Sequence, residues 1–283
     1  MAPSCNCEYR DWENFAEQVL DFHRCYGFNN FKIDAVMART YEAEENLRKL
    51  LQSAREKSDG RIYFNLDTTN GQRPGYFLFL EYGNIFLENR YVCHNWGVGY
   101  HPEKTLRNLW NLSQFIRPQS LQIEIPYPGD ILENFYAEKQ MLSPMAYPVE
   151  CWAAIAMFAN PLLWFAPSKV APADRKRIRD VMDLHRLHRD KIFSGEIFPL
   201  SSCPDGRSIT GFQSHDFNNN SGYLIFYREF ACETPKAKIT VNYIPDNIAF
   251  KRIAGDARLT LQGKFLEVEI SEAPGFAMFS YSL

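Results

Sequence analysis

Up to about residue 195, the sequence alternates short apolar segments rich in β-branched and aromatic residues with longer amphipathic segments. The first complete unit runs from the apolar segment 31–36, through the charged segment 41–57 with leucines at helical spacing, to the apolar segment 61–66. A helix between two strands crosses over the sheet, so the two strands lie parallel. This alternation therefore predicts an α/β region built on a parallel sheet.

The same alternation predicts five strands and five helices before residue 195, and Gly27 ends the first helix. In chain order the predicted elements are helix 11–26, strand 31–36, helix 41–57, strands 61–66 and 84–87, helix 103–115, strand 121–125, helix 147–159, strand 162–165 and helix 172–191. Helices connect most of these strands, and strands that are connected in this way pair in parallel. We therefore expect no antiparallel sheet before residue 190.

After Gly195 the pattern changes to short alternating segments separated by Gly, Asp, Asn and Pro. Examples are 223–228, 237–243, 257–261 and 265–270. This spacing predicts an antiparallel β domain. We therefore divide the chain into an α/β domain at 1–195 and a β domain at 196–283.

Composition excludes some classes of function. The 283 residues are 46% hydrophobic, and the net charge of −3 comes from interspersed acids and bases without a basic block, so nucleic acid is not expected as a partner. The seven cysteines are an odd number with irregular spacing, which favours reduced or buried thiols in a cytoplasmic protein. His185 and His188 lack a third metal ligand, so we expect no metal site and no cofactor.

No segment has the pattern of a leader or of a membrane span. Residues 1–11 contain no basic stretch followed by an apolar one, and the apolar run 151–167 is interrupted by Asn160-Pro161. We therefore expect no membrane partner.

Charged side chains follow the predicted strands where they end. Period 2 puts Lys32 and Asp34 on one face of the first strand, Asp67 follows the second strand, and Glu88 follows the third. The carboxyl ends of parallel strands meet at one edge of a sheet, where (β/α) barrels bind and cleave sugars. Arg73 follows Gly71 in the loop after Asp67, so we expect its side chain at the same edge.

Four motifs together resemble a known family. They are Lys32-Ile33-Asp34, the loop Asn70-Gly71-Gln72-Arg73, the strand end Phe86-Leu87-Glu88-Asn89, and Pro204-Asp205-Gly206-Arg207-Ser208-Ile209-Thr210-Gly211-Phe212-Gln213, which leads into 222–229. On these motifs nearly the whole chain resembles the C-terminal part of an α-galactosidase-like glycoside hydrolase, of the melibiase group related to glycoside hydrolase family 36. The resemblance implies a partial (β/α)8 TIM-type barrel, about strands 4 to 8, followed by an antiparallel β-sandwich.

The resemblance also implies roles for single residues. Asp34 matches the family's catalytic nucleophile, and Lys32 would keep it ionised and bind sugar hydroxyls. Glu88 is the preferred acid/base and Asp67 the second choice, although family 36 has an aspartate as acid/base and a Gly-Gly-rich loop where this chain has Thr68-Thr69-Asn70-Gly71. Arg73 would bind hydroxyls or orient a carboxylate, and Trp96 would stack on the sugar.

Each of these residues also has a structural interpretation. Lys32 and Asp34 suit a solvated ion pair, Asp67 an Asx turn with Thr68 and Thr69, and Arg73 a surface position. Glu88 suits a salt bridge to Arg90 or Arg107, while Trp110, Trp152 and Trp164 suit a core.

Three functions therefore remain open for the whole chain: a retaining hydrolase of α-galactosides or related α-glycosides, an inactive carbohydrate-binding remnant, and a raffinose-type transglycosylase. A barrel of about 250 residues is larger than the α/β part of this chain. We therefore also expect a homo-oligomer or a complementary fragment that completes the barrel.

Overall fold

The structure, a computed structural model, describes residues 8–34, 36, 38–67, 79–87, 90–93, 97–127, 143–244 and 248–282. Within these ranges it contains five α-helices: α1 (Trp12–Tyr26), α2 (Tyr41–Glu56), α3 (Pro102–Leu112), α4 (Val149–Ile155) and α5 (Pro172–Ser194). The strands are β1 (Asn30–Ile33), β2 (Tyr63–Asp67), β3 (Gly83–Leu87), β4 (Arg90–Cys93), β5 (Gly97–Tyr100), β6 (Leu121–Pro126), β7 (Asn160–Trp164), β8 (Glu196–Leu200), β9 (Ile209–Asp216), β10 (Ser221–Arg228), β11 (Lys236–Thr240), β12 (Ala249–Ala254), β13 (Ala257–Gln262), β14 (Phe265–Ile270) and β15 (Gly275–Ser282).

The strands β1, β2, β3, β6 and β7 form one sheet in that order. Adjacent strands from β1 to β6 pair in parallel, with Ile33 opposite Leu66, Leu66 opposite Ile85, and Ile85 opposite Leu121. This half-barrel, followed by antiparallel sheets, confirms the predicted fold class. Helix α1 ends at Gly27, whose φ of 73° is left-handed, as the sequence predicts.

The sheet formed by β1, β2, β3 and β6 has two faces of different chemistry. One face is apolar and buried, and its residues are Ile33, Phe64, Leu66, Ile85, Leu121 and Ile123. The alternate positions on the opposite face carry mainly polar side chains together with the buried ring of Phe86; the polar ones include Lys32, Asn65, Asp67, Gln122 and Glu124. Parallel strands are usually apolar on both faces, so this polar face is the part of the sheet that needs a functional explanation.

The antiparallel region contains a five-stranded sheet, β12-β15-β10-β9-β8, and a three-stranded sheet, β11-β14-β13. Side chains of both sheets share one buried core, which includes Leu224, Phe226, Leu266, Val268 and Ala277. This arrangement is the β-sandwich that the sequence predicts.

Three predictions need correction. Strands β4 and β5 pair antiparallel, so the expectation of no antiparallel pairing before residue 190 is wrong. Strand β1 ends at Ile33, and Asp34 therefore follows the strand. Helix α4 covers only Val149–Ile155.

The chain divides into two compact units, one formed by Met1–Glu88 with Ser120–Glu124 and the other by Asn89–Gln119 with Ile125–Leu283. The sheet type changes at β8, but the domain boundary at residue 195 stays a prediction.

Among the described residues, every helix is too short or too polar to cross a membrane. Four cysteines are free thiols: Cys25, Cys151, Cys203 and Cys232. The cytoplasmic location stays a prediction.

Candidate active site

Lys32 places its ammonium group between two carboxylates at the carboxyl end of β1 and β2. Its Nζ lies 2.9 Å from Asp34 Oδ1 and 3.4 Å from Asp67 Oδ2. The Asp34 side chain is 66% exposed, whereas that of Asp67 is 8% exposed. One cation therefore holds an accessible carboxylate and a buried one at the same sheet edge.

The register of the sheet fixes this arrangement. Lys32 stands opposite Asn65, so its side chain and that of Asp67 lie on the same face one period apart. Asp67 in turn stands opposite Phe86, and the Lys32 ammonium lies 4.5 Å from the centroid of that ring. The backbone N–H of Val36 donates to the carbonyl oxygen of Asp67 at 2.8 Å, which ties the segment after β1 to the end of β2.

The polar face continues from β2 across the sheet to β6. Asn65 Nδ2 donates a hydrogen bond to Gln122 Oε1, and Glu124 is completely buried. Among the described residues, the buried Asn65 Oδ1 has no hydrogen-bond partner. Buried polar atoms are normally satisfied, so this free acceptor suits a face that receives a polar ligand or water.

This geometry is compatible with chemistry on a sugar. Asp34 Oδ1 and Asp67 Oδ2 both contact the Lys32 ammonium. The distance between these two carboxyl groups is therefore compatible with the about 5 to 5.5 Å that separates the carboxyl groups of retaining glycosidases. An adjacent cation also favours the ionised form of a carboxylate, which is the form that attacks. The cluster can therefore supply a nucleophile and a second carboxyl group.

Of the predicted site residues, the structure brings Lys32, Asp34 and Asp67 together. Glu88, Arg73 and Trp96 lie outside the described residues, so their positions and roles stay predictions. Sequence reasoning did not include Asn65, although its spacing of two from Asp67 was a usable signal.

The motif that begins at Pro204 has a structural role at its start. The Glu229 carboxylate accepts hydrogen bonds from the backbone N–H groups of Asp205, Gly206 and Ser208 at 3.2, 2.7 and 3.1 Å, and from Ser208 Oγ at 2.8 Å. Burial raises the pKa of Glu229 above its ordinary value, and these hydrogen bonds oppose that effect. The Pro204 motif therefore closes a turn around a carboxylate at the end of β10.

The two helix histidines are also in structural contacts. His185 Nε2 lies 3.2 Å from the carbonyl oxygen of Ala159, and His188 Nδ1 lies 3.1 Å from Tyr223 Oη. Burial holds the pKa of both histidines below the ordinary value.

No protein-family model and no curated protein sequence matches the chain. Solved structures do match it. The GH36 α-galactosidase AgaA from Geobacillus stearothermophilus, in complex with raffinose, aligns with a TM-score of 0.67 at 12% identity, over 97% of this chain and 38% of that one. The galactosidase domain of the α-galactosidase-sucrose kinase AgaSK aligns with a TM-score of 0.65 at 10% identity, over 94% of this chain and 36% of that one.

The α-galactosidase from Lactobacillus brevis aligns with a TM-score of 0.66 at 10% identity, over 96% of this chain and 38% of that one. This chain therefore spans well under half the length of each of these proteins. At such low identity the likeness establishes the fold. The chain has an α-galactosidase-like fold, a parallel half-barrel followed by an antiparallel β domain.

Proposed function

We propose that the chain is a retaining glycoside hydrolase that acts on α-galactosides or related α-glycosides. The observation that carries the proposal is the Lys32 ammonium between Asp34 and Asp67 at the carboxyl edge of the half-barrel. In (β/α) barrels this edge holds the catalytic groups. The fold neighbours include complexes with raffinose and with stachyose, which supports a neutral carbohydrate as the substrate class.

Asp34 acts as the nucleophile. Its exposed carboxylate attacks the anomeric carbon while a protonated carboxyl group gives its proton to the leaving oxygen, and a covalent glycosyl-enzyme results. Water, deprotonated by the same acid/base group, then releases the sugar with retained configuration. Lys32 keeps Asp34 ionised and orients it through the 2.9 Å contact.

Glu88 is the proposed acid/base, and Asp67 is the alternative. Burial of Asp67 beside Asp34 supports the alternative, because a carboxyl group in low-dielectric surroundings holds a proton more readily. The adjacent Lys32 opposes that effect, since it favours the charged form. Arg73 and Trp96 are proposed to bind the sugar by hydrogen bonding and by stacking.

A complete pocket needs more strands than the described part of the chain contains. Within the described residues, the sheet has five strands with β1 and β7 at its edges, whereas a closed barrel of this type has eight. We therefore propose that a second copy or a complementary segment supplies the remaining strands. The open edges also favour the alternative of an inactive carbohydrate-binding protein, and a raffinose-type transglycosylase differs only in the acceptor.

The test is an assay of the full chain on aryl α-galactosides with the variants Asp34→Ala and Asp183→Ala. Asp183 is a matched control, because it is exposed and contacts Arg186 at 2.8 Å on α5. We expect Asp34→Ala to lower kcat/KM by about 10⁴-fold, and added azide to restore turnover with a β-galactosyl azide as product. Asp183→Ala should leave activity unchanged.

Three results would count against the proposal. If Asp34→Ala remains active, Asp34 is not the nucleophile. If the unmutated chain gives a product of inverted configuration, the mechanism is not a retaining one. If the unmutated chain binds the sugar but never cleaves it, the binding protein is the better interpretation. Transfer of the sugar to sucrose in place of water identifies the transglycosylase.

A further inference from the structure

Two aromatic side chains are exposed side by side on the β-sandwich. Phe217, in the turn after β9, is 51% exposed, and Tyr243, after β11, is 58% exposed. Their ring centroids are 5.0 Å apart and their planes meet at 70°. We call this pair the aromatic platform. Single exposed aromatic residues are common, but two adjacent rings form an apolar patch of the kind that binds ligands.

Further rings lie beside the aromatic platform. The His215 ring lies 4.7 Å from Phe217 and stacks on Tyr243 at 5.8 Å, while Phe198 lies 5.8 Å from Tyr243. His215 is buried, and burial holds its pKa below the ordinary value. The rings around the platform are therefore aromatic, and the lowered pKa of His215 favours its neutral form.

Polar contacts from β9 hold the loop that carries Tyr243. The buried Gln213 donates through Nε2 to the carbonyl oxygen of Asn242 at 2.9 Å and to Tyr281 Oη at 2.9 Å. Tyr243 itself has a φ of 63°, which is uncommon and strained for an aromatic residue. Such strain persists only where the surrounding structure enforces it, and it is concentrated at functional sites.

The turn that carries Phe217 is held as firmly. Asp216 Oδ1 accepts hydrogen bonds from the backbone N–H groups of Asn218 and Asn219 at 2.9 and 3.3 Å, and Oδ2 accepts one from Asn219 Nδ2 at 2.6 Å. The backbone segments that carry the two rings are therefore held in place before any ligand arrives, which lowers the entropy lost on binding.

We infer that the aromatic platform is a second sugar-binding site, and that it takes a neutral oligosaccharide. Aromatic faces pack against the C–H faces of pyranose rings, and the exposed amide side chains of Asn218 and Asn242 stand next to the two rings in sequence and can bind hydroxyl groups. The carboxylate nearest in sequence, Asp216, is engaged within its own turn. Aromatic faces with amide groups beside them suit an uncharged ligand that carries many hydroxyl groups.

The platform belongs to the compact unit that does not contain Lys32, Asp34 and Asp67. The choice of an α-galactosyl oligosaccharide as ligand rests on the proposed function. The placement of the two rings is independent of the proposed function.

The experiment measures stachyose binding to the full chain carrying Asp34→Ala, by calorimetry and by saturation-transfer NMR. An excess of 1-deoxygalactonojirimycin occupies the catalytic pocket, so the remaining stachyose binding reports the platform. We expect a remaining Kd of about 1 mM. Tyr243→Gly should weaken it at least about tenfold while suiting the positive φ at this position.

Phe217→Ala should have the same effect, whereas Tyr243→Phe, which keeps the ring, should retain most of the binding. The control is Phe115→Ala, because Phe115 is 72% exposed and lies outside the platform. The expected result for this control is unchanged binding. In a chain with intact Asp34, Tyr243→Gly should not change kcat/KM for a small aryl α-galactoside.

Absence of remaining stachyose binding overturns the inference, and so does equal binding in the Tyr243→Gly and unmutated chains. Self-association that disappears in both ring variants also overturns it, because the platform is then a contact between copies. Failure of the proposed function is a separate result, in which the aryl substrate is not cleaved. The difference in stachyose binding between Tyr243→Gly and its parent chain still tests the platform in that case.

Discussion

At the scale of single residues, the candidate site brings the carboxyl groups of Asp34 and Asp67 within contact distance of the Lys32 ammonium. Two carboxylates beside one ammonium carry a net negative charge, and the two acids differ in exposure, with Asp34 open to solvent and Asp67 buried. Environments that differ in this way separate the protonation behaviour of two carboxyl groups, which is how one site provides both an attacking base and a proton donor.

The identity of the acid/base can be tested with two substrates that differ in their leaving group. An aryl group such as dinitrophenol leaves without protonation, whereas the sugar oxygen of raffinose needs a proton. We expect Glu88→Gln to lower kcat/KM for raffinose by about 10² to 10⁴-fold and to change it little for the dinitrophenyl substrate. If Asp67→Asn shows this pattern and Glu88→Gln does not, then Asp67 is the acid/base.

The contact between Lys32 and Asp67 illustrates what sequence could not provide at this scale. Lys32 was predicted within the strand 31–36, on the same face as Asp34 by period 2, and Asp67 was predicted directly after the strand 61–66. Contact with Asp67 depends on the register that places Lys32 opposite Asn65, and register is decided by pairing between distant segments. The sequence did indicate part of the polar face, because Gln122 and Glu124 alternate with apolar residues along β6.

At the scale of elements, periodicity predicted the long helices and the parallel strands, because each buries one repeating apolar face. It missed the hairpin of β4 and β5, because no strand was predicted between the strand 84–87 and the helix 103–115. It also placed the end of α4 too late, since the alanines at 156 and 159 continue the helical pattern after the helix ends at Ile155. Alanine favours a helix locally but does not decide where it ends.

The turn closed by Glu229 makes a prediction at this scale. Glu229→Ala leaves the backbone N–H groups of Asp205, Gly206 and Ser208 without their acceptor. We expect the free energy of unfolding to fall by about 2 to 4 kcal/mol, measured by urea denaturation. Glu233→Ala, at an exposed position, should change it by less than about 0.5 kcal/mol. Equal stability of the two variants would show that the turn does not depend on the carboxylate.

At the scale of the whole molecule, the main feature is that β1 is an edge strand of the sheet that the described residues form. An exposed aromatic cluster lies next to it: Phe22, Tyr26 and Phe28 are 45%, 71% and 55% exposed, with ring centroids 6.1 to 6.4 Å apart. Unpaired strand edges and exposed aromatic clusters are both features that other chains bind.

We therefore expect the purified chain to sediment as a species larger than its 32.9 kDa monomer. Tyr26→Lys with Phe28→Lys should shift it toward the monomer and lower any glycosidase activity, because we propose that a second copy completes the pocket. Phe115→Lys is the control. A monomer with full activity in the unmutated chain would show that no second copy is needed.

The two faces of the parallel sheet also bear on which residues of such a protein can be substituted while the fold is kept. Side chains that support the fold and side chains that line the candidate site occupy alternate positions of the same strands, so Ile33 and Leu66 belong to one set and Lys32 and Asn65 to the other. Substitutions in the second set leave the apolar layer intact. Under the proposed function, the preference for a sugar can therefore change, in the laboratory or by natural variation, in steps that each keep the chain folded.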